Sequence, residues 1–172
     1  MKTISTNRPL GFEEARHFLK DELRQFCSRP LPSSVPYPFV LQIKASLLPF
    51  DNLAWLSHQR GMPKVFWKPS TGSWSSAGVG SAYSVICPDR QDDAVLWTEL
   101  DDLLLHAPDL RVFFGMSFHR NTSSFEWQGF GALRFLVPRF QIVEEDGRYE
   151  LVCILIFKEG AAPPLDRVLL EL

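Results

Sequence analysis

Seven consecutive apolar residues, Leu151-Val152-Cys153-Ile154-Leu155-Ile156-Phe157, constrain the fold of this chain more than any other stretch. A strand with alternating residues has one dry face; a strand without alternation must be covered on both. The run falls far short of the ~20 residues needed to span a bilayer. Upstream of it, Gly131 to Glu144 is also β-rich, and Glu145-Asp146-Gly147 separates it from Arg148 to Phe157. Asp-Gly between two such runs signals a tight hairpin, because the favoured turn needs positive φ at its central residues. Two paired strands are therefore expected, the second of them deep inside a layered domain.

The remaining pattern supplies the layers. Phe12 to Cys27 repeats its apolar residues with a helical period and carries Glu13 and Glu14 in its first turn, where the helix dipole favours acids. Pro30, Pro32, Pro36 and Pro38 force an extended connector. Phe39 to Ala45 reads as a strand and Phe50 to His58 as a short helix, stopped by Gly61 and Pro63. Lys64 to Lys68 and Ser73 to Gly78 form a hairpin around Ser70-Thr71-Gly72-Ser73, and Ser81 to Cys87 prolongs its second strand past a glycine bulge. Asp92 to His106 is a helix with an aspartate cap and an apolar stripe at 95, 96, 100, 103 and 104. Leu110 to Phe118 is a strand, and the polar His119 to Trp127 a loop. The expected architecture is α+β, one domain over residues 1–172: an antiparallel β-sheet with three or four flanking helices.

Charge and cysteine usage exclude several functions. The formal net charge is −2, whereas nucleic-acid-binding domains tend to be clearly basic. Met1 to Leu10 is polar and has no apolar core, so no signal peptide is read there. The three cysteines, Cys27, Cys87 and Cys153, are scattered and odd in number, as in a reduced cytoplasmic protein. No nucleic-acid or membrane partner is expected.

Four segments carry a family resemblance. They are Phe50-Asp51-Asn52-Leu53-Ala54-Trp55-Leu56, the stretch Pro63 to Val85 with its Gly78-Val79-Gly80-Ser81-Ala82 element, Asp109 to Gly115, and Leu136-Val137-Pro138-Arg139-Phe140. In this order they resemble the N-terminal part of isochorismate synthases, members of the chorismate-utilising, anthranilate synthase component I-like family. The resemblance covers residues 40 to 172. It implies the N-terminal half of the anthranilate synthase-like fold and a parent reaction, chorismate to isochorismate, that serves menaquinone or siderophore biosynthesis. In that chemistry a base activates water, an acid assists the leaving hydroxide, and carboxylates hold Mg2+. The family's lysine strand and glutamate motifs do not occur here. Lys64-Val65-Phe66-Trp67 is only superficially similar to the lysine strand, so no role is transferred to it. Catalytic, cofactor-binding and metal residues are accordingly none for this chain, and Mg2+ belongs to the full-length parent.

The expectation is thus an N-terminal, non-catalytic portion, inactive alone, whose partner is a missing C-terminal catalytic half or a separate catalytic subunit. The alternative is a free-standing binding or regulatory module that docks on such a subunit. Residues 163–172, with Leu165, Val168, Leu169 and Leu172 at helical spacing, read as the start of a helix that continued in a longer parent; a short helix docked on the sheet is the other reading. An uncovered sheet in a half-protein would leave a face or edge exposed, or buried in a homodimer through that sheet.

Other clusters were weighed against plainer roles. The acidic run Asp89, Asp92, Asp93, Glu99, Asp101 and Asp102 could supply metal ligands, but a solvated helix face explains it better. His17, His58, His106 and His119 lack ligand spacing, and His106 suits the C-terminal carbonyls of its own helix. Arg111, Arg120, Arg134 and Arg139 would suit a dicarboxylate; pairing with acids such as Glu126 or Glu144 accounts for them equally. The aromatics Trp67, Trp74, Trp97, Trp127, Phe113, Phe114 and Phe118 read as core before they read as a ligand wall.

Overall fold

The computed structural model describes residues 1–28, 37–87, 93–117, 131–159 and 167–169. The chain runs β1 (Lys2–Leu10), α1 (Phe12–Cys27), β2 (Phe39–Leu47), α2 (Asn52–His58), β3 (Lys64–Trp67), β4 (Trp74–Val79), β5 (Tyr83–Cys87), α3 (Asp93–His106), β6 (Phe113–Met116), β7 (Leu133–Val137), β8 (Phe140–Glu145) and β9 (Arg148–Phe157). A helical turn at 167–169 follows. The α+β class expected from the sequence is what forms.

The strands make two sheets, a six-stranded one ordered β1-β2-β9-β8-β4-β3 and a three-stranded one ordered β5-β7-β6. β9 lies inside the larger sheet, and Leu151 to Phe157 are all buried. Leu151, Cys153, Leu155 and Phe157 point to one face, where Ala15, Leu19 and Leu23 of α1 and Trp55 and Leu56 of α2 cover them. Val152, Ile154 and Ile156 point to the other, under Leu103, Ala107 and Leu110. Burying such a side chain contributes roughly 1.5–3 kcal/mol, so the absence of alternation is a direct record of two covers. The β8–β9 turn places Asp146 at φ 51° and Gly147 at φ 75°, the two positive values that Asp-Gly tolerates at low cost.

Local chemistry fixes the helices on the first face. Glu14 reaches back to the Gly11 N–H (3.0 Å) at the start of α1, and Asp51 accepts from the Leu53 and Ala54 N–H groups at the start of α2. Phe12 stacks on Phe50 with ring centroids 5.0 Å apart, tying the two helix entries together. Asn52 donates to Ser75 (3.0 Å), which donates to Glu144 (2.8 Å), which also accepts from Tyr149 (3.1 Å). This polar chain pins α2 to the sheet. Val168 is buried against the same core, with Leu169 packed on it.

Four expectations need correction. Met1 to Leu10 is not merely a polar lead-in: Lys2–Leu10 is a strand, parallel to β2 through the α1 crossover, so the larger sheet is not wholly antiparallel. Ser81 to Cys87 does continue past Gly80, but into the second sheet, where Tyr83–Cys87 pairs with β7. Gly131 to Glu144 is likewise two strands, β7 in the small sheet and β8 in the large one, divided at Pro138-Arg139. Leu110 to Phe118 supplies only the four-residue edge strand β6, because Leu110 turns into the core and Val112 packs beside it. The loop His119 to Trp127, the connector prolines Pro30, Pro32 and Pro36, the cap Asp92, and Leu165 and Leu172 lie outside the described residues.

The two corrections at Gly80 and Pro138 describe one corner. β4 pairs with β8 as far as Val79↔Phe140, and β5 pairs with β7 from Tyr83↔Val137. A single two-stranded ribbon thus passes from one sheet into the other. Gly80 takes φ 70° at the bend. Gly78 allows the close approach of Pro138: a Cβ there would sit 2.6 Å from the Pro138 Cγ. Arg139, 8% exposed, donates to the Ser81 carbonyl (2.9 Å) and the Ile154 carbonyl (3.3 Å), locking the corner to β9.

Candidate functional site

The face of the six-stranded sheet opposite α1 and α2 is covered unevenly. Near Ile156 it lies under Leu103 of α3, while Leu96 and Leu100 of the same helix are buried against the small sheet. Toward the far ends of β2, β8 and β9, the segment 108–112 is what lies over the sheet among the described residues. Beneath it is a cavity of about 470 Å3 lined chiefly by Gln42, Lys44, Gln141, Glu150, Asp109 and Arg111. Gln42 and Gln141 are 2% and 1% exposed, an unusual burial for amides in strand centres. The Gln141 Nε2 makes no hydrogen bond among the described residues, and a buried donor left so costs about 1–3 kcal/mol. The cavity therefore offers a polar floor to an acceptor-bearing group.

Arg111 divides this cavity from a second hollow. Its Nη2 is 3.0 Å from the Glu145 carboxylate, and its guanidinium carbon sits 5.2 Å from the Trp74 ring centroid. Beyond it, Trp67, Trp74, Ser76, Phe113 and Phe114 line a groove of about 330 Å3. The buried Ser76 hydroxyl on its floor has no partner among the described residues. Together the two hollows join amides, one ion pair and aromatic walls.

The four arginines singled out in the sequence do not converge. Arg111 takes Glu145, not Glu144, and lies at the cavity; Arg139 binds backbone carbonyls at the corner; Arg134 sits in β7 with a buried Nε. Arg120 lies outside the described residues, as does Glu126. In the acidic run, Glu99 accepts from the Tyr83 hydroxyl (2.5 Å) and Asp102 lies 3.6 Å from His106. Burial first, then the Glu99 hydrogen bond and charge, hold the Tyr83 phenol well above its ordinary range. Tyr149 moves the same way, by desolvation and by Glu144. His106 donates Nδ1–H to the Asp102 carbonyl (2.8 Å), the helix-end contact expected of it, and His17 and His58 do the same to Glu13 and Ala54. Trp97, Phe114 and Phe135 form an aromatic cluster, while Trp127 and Phe118 are outside the described residues. Cys87 and Cys153 are buried, and Cys27 is half-buried with its thiol pKa pushed up by burial.

Sequence reasoning missed Gln42, Gln141 and Ser76. Their signal was present: a glutamine inside Phe-Val-Leu-Gln-Ile and another inside Phe-Gln-Ile-Val interrupt runs that otherwise ask only for apolar residues.

Comparison with known proteins places this arrangement. The structure of MenF, the menaquinone-specific isochorismate synthase from Escherichia coli, shares the fold with a TM-score of 0.61 at 18% identity. The match covers 92% of this chain and 32% of that one, so the chain spans about a third of MenF's length. A search among curated proteins finds no match. The family model of chorismate binding enzymes matches residues 27–168, the stretch that holds α2, α3, both hollows and the corner between the sheets, and the chain belongs to that family.

Proposed function

We propose that this chain is the N-terminal, non-catalytic portion of an isochorismate synthase-like protein acting in the cytoplasm. The parent reaction is the Mg2+-dependent conversion of chorismate to isochorismate for menaquinone or siderophore synthesis. The observation that carries this reading is one of proportion: a fold shared over 92% of this chain accounts for 32% of MenF. The half-covered face of the large sheet, with its orphaned Gln141 amide and aromatic groove, is the surface we assign to the catalytic portion.

The carboxylates in hand suit that division of labour. Among the described residues no group of three or more His, Cys, Asp or Glu converges as a metal holder. Glu99, Glu144 and Glu145 are each engaged by Tyr83, by Ser75 and Tyr149, and by Arg111. Mg2+ does not fit the donor set that the described residues offer. The purified chain, incubated with chorismate and Mg2+ and followed chromatographically, is expected to form no isochorismate. Turnover at an enzymic rate would refute the proposal.

A second reading, a free-standing binding or regulatory module on a separate catalytic subunit, is favoured by one feature. Leu151 to Phe157 of β9 are all buried within this chain. Cooperative urea unfolding of the isolated chain, coincident by fluorescence and circular dichroism, would support it; a broad, probe-dependent transition would count against it.

A further inference from the structure

We propose that the groove of Trp67, Trp74 and Phe114 is where the catalytic portion anchors, and that it receives an aromatic side chain with a polar tip, a phenol. This rests on the assignment of the half-covered face to that portion and adds the chemistry that seats there. The groove follows from strand alternation. Trp74 and Ser76 are two residues apart in β4, and Trp67 of β3 is the residue paired with Ser76, so all three side chains stand on one face. A small residue set between two indoles leaves open the volume that a larger side chain would fill. Phe113 and Phe114 of β6 complete the lining of a hollow of about 330 Å3.

Three observations select the occupant. Trp67 and Phe114 are 56% and 49% exposed, and aromatic anchors in pockets dominate the energetics of protein interfaces. The lining is mostly ring carbon, which suits a planar apolar body. At the floor the Ser76 hydroxyl, 0% exposed, has no partner among the described residues, and an oxygen at the tip of the occupant would satisfy it. A phenylalanine or leucine side chain fills the same space and leaves Ser76 orphaned. A carboxylate meets, among the described lining residues, only the Arg111 guanidinium, which Glu145 and Trp74 already engage. A phenol meets all three conditions, since its hydroxyl can accept from Ser76 or donate to it.

N-acetyltyrosinamide and N-acetylphenylalaninamide, titrated into the whole chain and followed by NMR of the indole N–H signals, give the test. The tyrosine amide is expected to bind in the millimolar range and to shift Trp67 and Trp74. It should bind about three- to tenfold more tightly than the phenylalanine amide, the worth of one hydrogen bond. Ser76→Ala is expected to abolish that preference without loss of stability, because the hydroxyl it removes is unpartnered among the described residues. Trp67→Ala, at an exposed position of an edge strand, should weaken both amides. Equal affinity for the two amides, no saturable shift at Trp67 and Trp74, or a preference that survives Ser76→Ala overturns the proposal. So does tighter binding of free tyrosine than of its capped amide, which would give the groove to a metabolite. The premise fails separately: chorismate turnover by the chain overturns the identity of the partner while the phenol preference persists.

Discussion

Gly78→Ala tests the corner between the sheets, and its effect can be worked from geometry. The added methyl would lie 2.6 Å and 2.7 Å from the Pro138 Cγ and Cβ, and 3.0 Å from a Val65 methyl. Carbon atoms prefer about 3.5–4.0 Å, so the overlap on the proline ring approaches 1 Å. A pyrrolidine ring cannot rotate out of the way, and Pro138 is fixed between β7 and β8. Overpacking of this kind costs about 1–3 kcal/mol. Against it, alanine restricts the unfolded chain and returns about 0.4–1 kcal/mol. At mid-range values the net loss is about 1.3 kcal/mol, or a fall in Tm of roughly 3–5 °C for a domain of this size. Urea unfolding of Gly78→Ala, Pro138→Ala and the double variant measures the coupling directly. The penalty of Gly78→Ala should largely vanish in the Pro138→Ala background. A stabilised Gly78→Ala, or a penalty that is the same in both backgrounds, would refute the claim that glycine is there to admit the proline.

Two further outcomes follow from named contacts. Arg139→Met strips the side-chain donors from the half-buried Ser81 carbonyl and the buried Ile154 carbonyl; at about 1–3 kcal/mol for a buried group left unpaired, and less for the half-buried one, stability should fall by about 1–4 kcal/mol in urea titration, and a loss below about half a kilocalorie would contradict the stapling role. The Tyr83 phenol has a folded pKa raised above its ordinary value of 10.0 by burial and Glu99. The folded state then keeps a proton that the unfolded state releases, so this stabilisation is intact below pH 10 and is lost as pH rises through the folded value. Stability measured from pH 9 upward should decline less in Tyr83→Phe than in the parent chain, and parallel declines would rule the linkage out.

What the sequence disclosed, and what it withheld, follows from how local each signal is. The Leu151 to Phe157 run and Asp146-Gly147 state their environment within a few residues, and β8, β9 and their turn appear where those residues put them. α1 and α3 are equally local, since a period of Leu19 and Leu23, or of Leu96, Leu100 and Leu103, needs no distant partner to be read. β1 was illegible because Lys2, Thr3, Ser5, Asn7 and Arg8 look like a solvated tail; a strand at a sheet edge, joined in parallel through a helix, shows only Ile4 and Leu10 to the core. The corner was illegible because Gly80 between Val79 and Tyr83, and Pro138 between Leu136 and Phe140, read equally well as a bulge or an edge position within one continuous strand. Only the mutual bend of both strands at Gly80 and Pro138 separates the sheets, and that is a property of the pair. The hollows were missed for a similar reason: Gln42 and Gln141 are three strands' width of chain folding away from meaning anything together.

The bent ribbon has a mechanical implication for the small sheet. Three short strands would fray quickly if they hung from the domain by loops alone. Here two of the strands that build the small sheet are direct extensions of strands in the large one, and Arg139 clips the join to the most deeply seated strand. Peeling β5 or β7 loose would drag β4 or β8 with it, so the lesser sheet borrows the lifetime of the greater. A molecule that grips the outer strand β6 thereby pulls on the centre of the domain.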